Sequence, residues 1–153
     1  MKDYIIISEP DFQKARNLIR KNRQDGRKII FSGTDEMNRK VLEKEKIDVL
    51  LVKLKGRKDK IKQRDSGFNQ VLAKLAKKKD VAIGIDLDEI INPEKKEMAK
   101  IIARLMQNVN LCKKEKLKMI FIGNKYQKNA YDLKALGLIL GMPTWMTKEL
   151  QKN

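Results

Sequence analysis

The chain has 153 residues, 41% of them apolar and 37% charged, enough for one domain with a real core and too poor in Gly and Pro for a disordered chain. Thirty-six Lys and Arg stand against twenty Asp and Glu, a formal charge of +16 with a pI near 9.9, and the chain holds no His and one Cys. Imidazole catalysis and His-based metal binding are thereby excluded, as is an internal disulfide, which fits a reducing, cytoplasmic setting.

Tyr4–Ile7 reads as a first strand. Ser8-Glu9-Pro10-Asp11 is a helix-start signal, with Ser8 as N-cap and Pro10 in the first turn. Phe12, Ala15, Leu18 and Ile19 then share one face, and Gly26 ends the unit. Lys28–Phe31 is the second strand. Thr34 caps the next helix, whose inner face is Met37, Val41 and Leu42, with Asp35 and Glu36 at its positive end. The third strand is predicted over Ile47–Val52 and the third helix over Ser66–Lys79, with Phe68, Val71, Leu72 and Leu75 inward. Val81–Ile85 follows as a strand. A helix opening at Asn92-Pro93 then buries Met98, Ile101, Ile102, Leu105, Met106 and Val109, with Lys and Arg on its other side. Lys118–Ile122 is the fifth strand. A last helix spans Tyr126 to Leu140, with Leu133, Leu136 and Leu140 inward and Gly141 as terminator.

The strands are continuously apolar, as parallel strands covered on both faces are. Five βα units with right-handed crossovers give either an open doubly wound sheet or a partial barrel, a full eight-unit barrel needing about 250 residues. Periodicity leaves both open. No apolar run is long enough to span a membrane. Residues 1–153 read as a single α/β domain, with a basic loop at 53–65 and a C-terminal tail at 142–153.

The loop carries Lys53, Lys55, Arg57, Lys58, Lys60, Lys62 and Arg64 against Asp59. It follows the third strand, at the carboxyl edge of the sheet where α/β proteins place their sites. Charge this dense repels itself, and a phosphate backbone relieves it with release of counterions. RNA contact, solubilisation and protein docking are the three readings, and the loop is expected to be exposed and mobile until its charge is offset. Lys77, Lys78, Lys79, Lys113, Lys114, Lys116 and Lys118 gather at the opposite edge, where helix dipoles suffice to account for cations and RNA contact is the second reading. Arg16, Arg20, Lys21, Arg23, Arg27 and Lys28 form a third basic region. Asp86, Asp88 and Glu89 close the fourth strand, with Asp35 after the second. As paired carboxylates, Asp86 and Asp88 are the alternative: a Mg²⁺ site for a metal-dependent nuclease. Acidic residues also open helices routinely. Aromatic residues are sparse. Trp145, with Met142, Pro143 and Met146, is either a protein-contact patch or a lid over the core.

Asp65-Ser66-Gly67-Phe68-Asn69-Gln70-Val71-Leu72-Ala73, followed by Val81-Ala82-Ile83-Gly84, resembles the ribonuclease P protein component 3 family of archaea. So does Asp132-Leu133-x-x-Leu136-Gly137-x-x-x-Gly141-Met142, in the same order. The resemblance implies a TIM-like barrel, here shortened and incomplete with about five parallel strands. It implies a protein subunit acting with other ribonuclease P protein subunits on ribonuclease P RNA, which removes the 5′ leader of precursor tRNA. It implies no catalytic residue and no bound cofactor in the protein, Mg²⁺ being held by the RNA. Asp65, Gly67, Asn69 and Asp132 fall on the family motifs, and Lys128 on a family Arg. Family members are longer. The first one or two βα units are expected to be missing from the front, and the gap in the barrel to be closed by Met142–Leu150, a second copy or a partner subunit.

Overall fold

The computed structural model describes residues 3–91, 94–123, 129–148 and 150. Its elements run β1 (Tyr4–Ile7), α1 (Phe12–Gln24), β2 (Lys28–Phe31), α2 (Asp35–Lys44), β3 (Val49–Leu51), α3 (Gln70–Lys78), β4 (Ala82–Asp86), α4 (Leu87–Ile91), α5 (Lys95–Glu115), β5 (Met119–Ile122), α6 (Ala130–Ile139) and α7 (Thr144–Thr147). The strands form one sheet in the order β1-β2-β3-β4-β5, every pair parallel.

That order decides between the two architectures left open by periodicity. A doubly wound sheet reverses its strand order partway, which puts helices on both faces. Here the order never reverses, so right-handed crossovers keep all helices on one side. Packing agrees. Ile7, Ile29, Phe31, Leu50, Ile83, Ile85, Met119 and Phe121 share one cluster with the buried residues of the helices, including Ile19, Leu42, Ala76 and Leu105. The alternate strand residues Ile30, Val49, Leu51 and Ile120, with Tyr4, Ala82 and Ile122 against them, form a second cluster that contains strand residues alone. The fold is an incomplete TIM-like barrel with helices outside. Gly84 lies on the inner face because a Cβ there would stand 3.0 Å from Val49 Cγ1 and 3.1 Å from Leu51 Cδ1.

The barrel has two edges. At β5 the Phe121 N–H donates to the Leu150 carbonyl at 2.9 Å. Met142, Met146 and Leu150 are buried in the helix-side core, so the tail occupies that edge, as one of the three closures expected. At the other edge β1 leaves Ile6 53% exposed.

Several element starts differ from expectation. Asp11, not Ser8, caps α1: its Oδ1 accepts the Lys14 N–H at 3.0 Å. The helix phase that buries Ala15, Ile19 and Asn22 begins at Phe12, leaving Leu18 40% exposed. Thr34 caps α2 as expected. The third helix starts at Gln70, because Ser66–Phe68 turn instead of winding and Asn69 Oδ1 takes the Leu72 N–H at 2.9 Å. In that phase Leu72, Ala73 and Ala76 point inward and Val71 is 64% exposed. Met106 of α5 likewise faces solvent. A short helix, α4, stands where no periodicity announced one. The expected starts at Asn92-Pro93 and Tyr126 lie outside the described residues, and α6 is described from its cap, Asn129. Among the described residues no helix is long and apolar enough to cross a membrane.

Candidate nucleic-acid interface

The segment between β3 and α3 leaves the carboxyl edge of the sheet, and its backbone is tied down at several points. Burying Leu54 takes its own backbone N–H and carbonyl out of water, and each must then find a partner. Glu89, just past β4, accepts the Leu54 N–H at 2.9 Å and the Lys55 N–H at 3.4 Å. Glu97 in the first turn of α5 accepts the Gly56 N–H at 3.0 Å. From deeper in α5, Arg104 donates Nη1 to the Leu54 carbonyl at 2.9 Å. Its Nη2 reaches the Arg57 carbonyl at 2.6 Å and Asp59 Oδ1 at 3.4 Å. The Arg104 side chain is 2% exposed, so a guanidinium sits inside the protein chiefly to satisfy loop carbonyls. The same Asp59 oxygen accepts the Asp65 N–H at 2.8 Å. That bond, with Arg104 beside it, holds the Asp59 carboxyl below its ordinary value.

Arg57 is the second anchor. Its guanidinium makes a forked pair with Asp35 at 2.8 Å on both arms, touches Asp65 Oδ1 at 3.3 Å, and donates Nε to the Lys53 carbonyl at 2.6 Å. The pairing with Asp35 raises its pKa further. Gly67 makes room for this arrangement. Its φ is +70°, and a Cβ on it would lie 2.2 Å from an Arg57 nitrogen. Asp65 Oδ1 accepts the Gly67 N–H at 3.0 Å, and Asn108 of α5 donates to the Ser66 carbonyl at 3.1 Å. Gly67→Ala is expected to cost at least about 1 kcal/mol from the left-handed backbone alone, with a further loss from expelling Arg57. Urea unfolding of the variant measures both.

Burial pushes the Glu89 carboxyl above its usual range, outweighing the two N–H donors that lower it. A carboxyl whose folded pKa is raised stabilises the fold below its unfolded value, and that contribution is lost as pH rises through the folded value. Glu89→Gln keeps an acceptor for the Leu54 N–H. The variant is therefore expected to lose less stability than the parent as pH climbs from about 4 towards 7, read as the urea midpoint at each pH.

The structure separates the seven loop cations into two groups. Arg57 is spent inside the protein, and Lys53 forms an ion pair with Asp86. Lys55, Lys58, Lys60, Lys62 and Arg64 have exposed side chains, Lys60 and Lys62 within a small turn closed by the Lys60 and Gln63 backbones at 2.9 and 3.1 Å. The loop's cations are largely exposed, as expected, and carboxylates and a buried Arg from α5 bond its backbone at Leu54, Lys55, Gly56 and Arg57. The family-motif residues build this support, Asp65 and Gly67 at Arg57 and Asn69 as the cap of α3. Asp132 is exposed in the first turn of α6, and Lys128 lies outside the described residues.

Asp86 and Asp88 are adjacent, with the Asp88 N–H donating to Asp86 Oδ1 at 3.0 Å. The Lys53 ammonium sits on the other Asp86 oxygen, where a metal ion would otherwise supply the charge. Among the described residues no group of three or more Asp, Glu or Cys is arranged to hold a metal. In the region around α1, Arg16 and Arg20 pair with the buried Glu45, and Arg23 pairs with Asp48, so part of that basic surface is neutralised internally.

Sequence pattern places the Lys and Arg of this helix on its solvent side and so does not point to Arg104. The signal was its spacing: position 104 falls on the stripe of Ile101, Leu105, Val109 and Cys112.

No family model matches the sequence. It is 32% identical over 127 residues to ribonuclease P protein component 3 of Methanocaldococcus jannaschii, covering 80% of this chain and 52% of that protein. Its identity to the protein of the same name from Methanosarcina mazei is 28% over 107 residues, covering 70% and 41%. The chain thus spans about half the length of the curated relatives it matches. Among solved structures, one chain of a cryo-EM structure of archaeal ribonuclease P with mature tRNA superposes with a TM-score of 0.76 at 28% identity, over 95% of this chain and 62% of that one. A deoxyribose phosphate aldolase from Aeropyrum pernix matches with a TM-score of 0.50 at 14% identity, over 92% and 59%, a likeness of fold alone.

Proposed function

We propose, for a chain that belongs to the ribonuclease P protein component 3 family, that it serves as a protein subunit of ribonuclease P in the cytoplasm. It supports the catalytic RNA, with the other protein subunits, in removing the 5′ leader of precursor tRNA. The observation that carries this reading is the likeness, over nearly the whole chain, to a component of archaeal ribonuclease P. The site adds a physical rationale. Lys55, Lys58, Lys60, Lys62 and Arg64 project from a backbone held by Arg104 and Glu89. Cations on a fixed support lose less freedom on meeting a phosphate backbone than cations on a free tether. Lys128, at the place of a family Arg, belongs to the same proposed contact.

Paired RNA hides its base edges in a narrow groove, so such a surface reads shape and phosphate position. Neutralising backbone charge lowers the Mg²⁺ that the RNA needs to fold, with the ions carried by the RNA and none by the protein. Reconstituted precursor-tRNA cleavage, with and without this chain, tests the reading across a Mg²⁺ titration. The chain should shift the half-maximal Mg²⁺ downward. An unshifted titration would sink the proposal. Cleavage by the purified chain without RNA, abolished in Asp86→Asn, would replace it with the metal-dependent nuclease.

A further inference from the structure

The opposite edge of the sheet holds a second cationic surface, and it differs in kind from the loop because it is built around the chain's one tryptophan. In α7, Met146 and Thr147 are buried against the core while Trp145 stays 42% exposed. It helps line a concavity of about 600 Å³ whose other walls are Lys113, Lys116, Lys118, Met146 and Lys148. No Asp or Glu lines it among the described residues. The helix dipole accounts for Lys113 at the end of α5. Lys148 likewise stands at the C-cap of α7, and the dipole does not account for Lys118 at the entrance of β5. Lys116 is turned by a left-handed backbone, φ 56°, and its carbonyl accepts a bond from Lys77 Nζ at 3.1 Å. A neighbouring concavity of about 350 Å³ shares Lys116 and Lys118 and adds Lys28 and Lys77. Two carboxylates also line it, Asp80 and Asp48, and Asp48 is already bonded to the Ile29 N–H, Arg23 and Lys28.

We propose that this edge is a binding site for single-stranded RNA, in which an unpaired base stacks on Trp145 while Lys113, Lys116, Lys118 and Lys148 meet the flanking phosphates. An indole rimmed by cations matches the two parts of an unpaired nucleotide, a flat face and an anionic link. Base-paired RNA offers the phosphates and keeps the face inside its stack, and an acidic peptide offers charge without the face. The inference rests on the RNA reading of the chain. It adds a second pole, so that one small body grips paired RNA at its carboxyl edge and a single strand at its amino edge.

The lone tryptophan makes the test direct, because the intrinsic fluorescence of the full chain reports on this site. Titration with a short oligoadenylate at low salt should quench the emission to saturation, while inorganic polyphosphate leaves it nearly unchanged. The double variant Lys113→Ala, Lys148→Ala should raise the Kd of quenching about tenfold, in line with the loss of two phosphate contacts. The triple variant Lys58→Ala, Lys60→Ala, Lys62→Ala should leave that Kd where it was. Absence of quenching, equal quenching by polyphosphate or by an acidic peptide, or a Kd that follows the loop triple and ignores the amino-edge pair would each overturn the proposal. Failure here with intact binding of structured RNA would leave the loop surface standing, and the converse pattern would separate the two the other way.

Discussion

Arg104→Met is expected to lower the free energy of unfolding by about 3 kcal/mol, the loss typical of deleting one partner from a buried charged network. The methionine fills most of the volume, so packing is nearly preserved and the cost falls on what Arg104 was satisfying. The Leu54 and Arg57 carbonyls lose their donors at 2.9 and 2.6 Å, and Asp59 loses the charge beside it. Arg104 Nε already has no hydrogen-bond partner among the described residues, so the residue contributes through its two forked arms. Urea unfolding gives the magnitude. Proteolysis adds a readout that general destabilisation would not mimic: under native conditions, cleavage should begin at the lysines between positions 55 and 64. A change under about 1 kcal/mol, with the loop still protected, would show that the carboxylates alone hold it.

If the loop is the proposed RNA contact, Lys58→Ala, Lys60→Ala, Lys62→Ala is expected to weaken binding to structured ribonuclease P RNA by one to two orders of magnitude at moderate salt, roughly a decade or less per lost phosphate contact. The diagnostic quantity is the slope of log affinity against log salt concentration, which should fall by roughly one for each phosphate contact removed. These three side chains are exposed and take no part in the hydrogen bonds that Arg57 and Arg104 make, so unfolding should be unchanged. Lys53→Ala is the informative contrast. Lys53 is paired with Asp86, and its loss should alter the salt slope less than any one of the three. An unaltered slope in the triple variant would remove the loop from the RNA interface.

Strand positions were legible because each is a short continuous run of Ile, Val and Leu, and their ends moved by one or two residues at most. Strand order was not, because an apolar run does not say which neighbour it will bond. It took the pairing of Tyr4 with Lys28 through Asp86 with Ile122 to select a barrel over a doubly wound sheet. The charge of the loop was equally plain, and its restraint was invisible for a related reason. Glu89, Glu97 and Arg104 lie 34 to 50 residues away from the groups they bind, and each looks in sequence like an ordinary helix charge. The motif residues Asp65, Gly67 and Asn69 were found by resemblance. Their physical work, making room for Arg57 and starting α3, emerged from φ and distance.

The strictly sequential sheet has a consequence for how the protein is made. Every strand after the first bonds to the one translated just before it, so each βα unit leaving the ribosome finds its docking partner already in place. No strand has to wait for a distant one before it can pair, apart from the β5 border that Leu150 covers, while the loop after β3 waits for Glu89, Glu97 and Arg104. Such a chain can gain structure stepwise during synthesis, with little apolar surface displayed to neighbouring nascent chains at any moment.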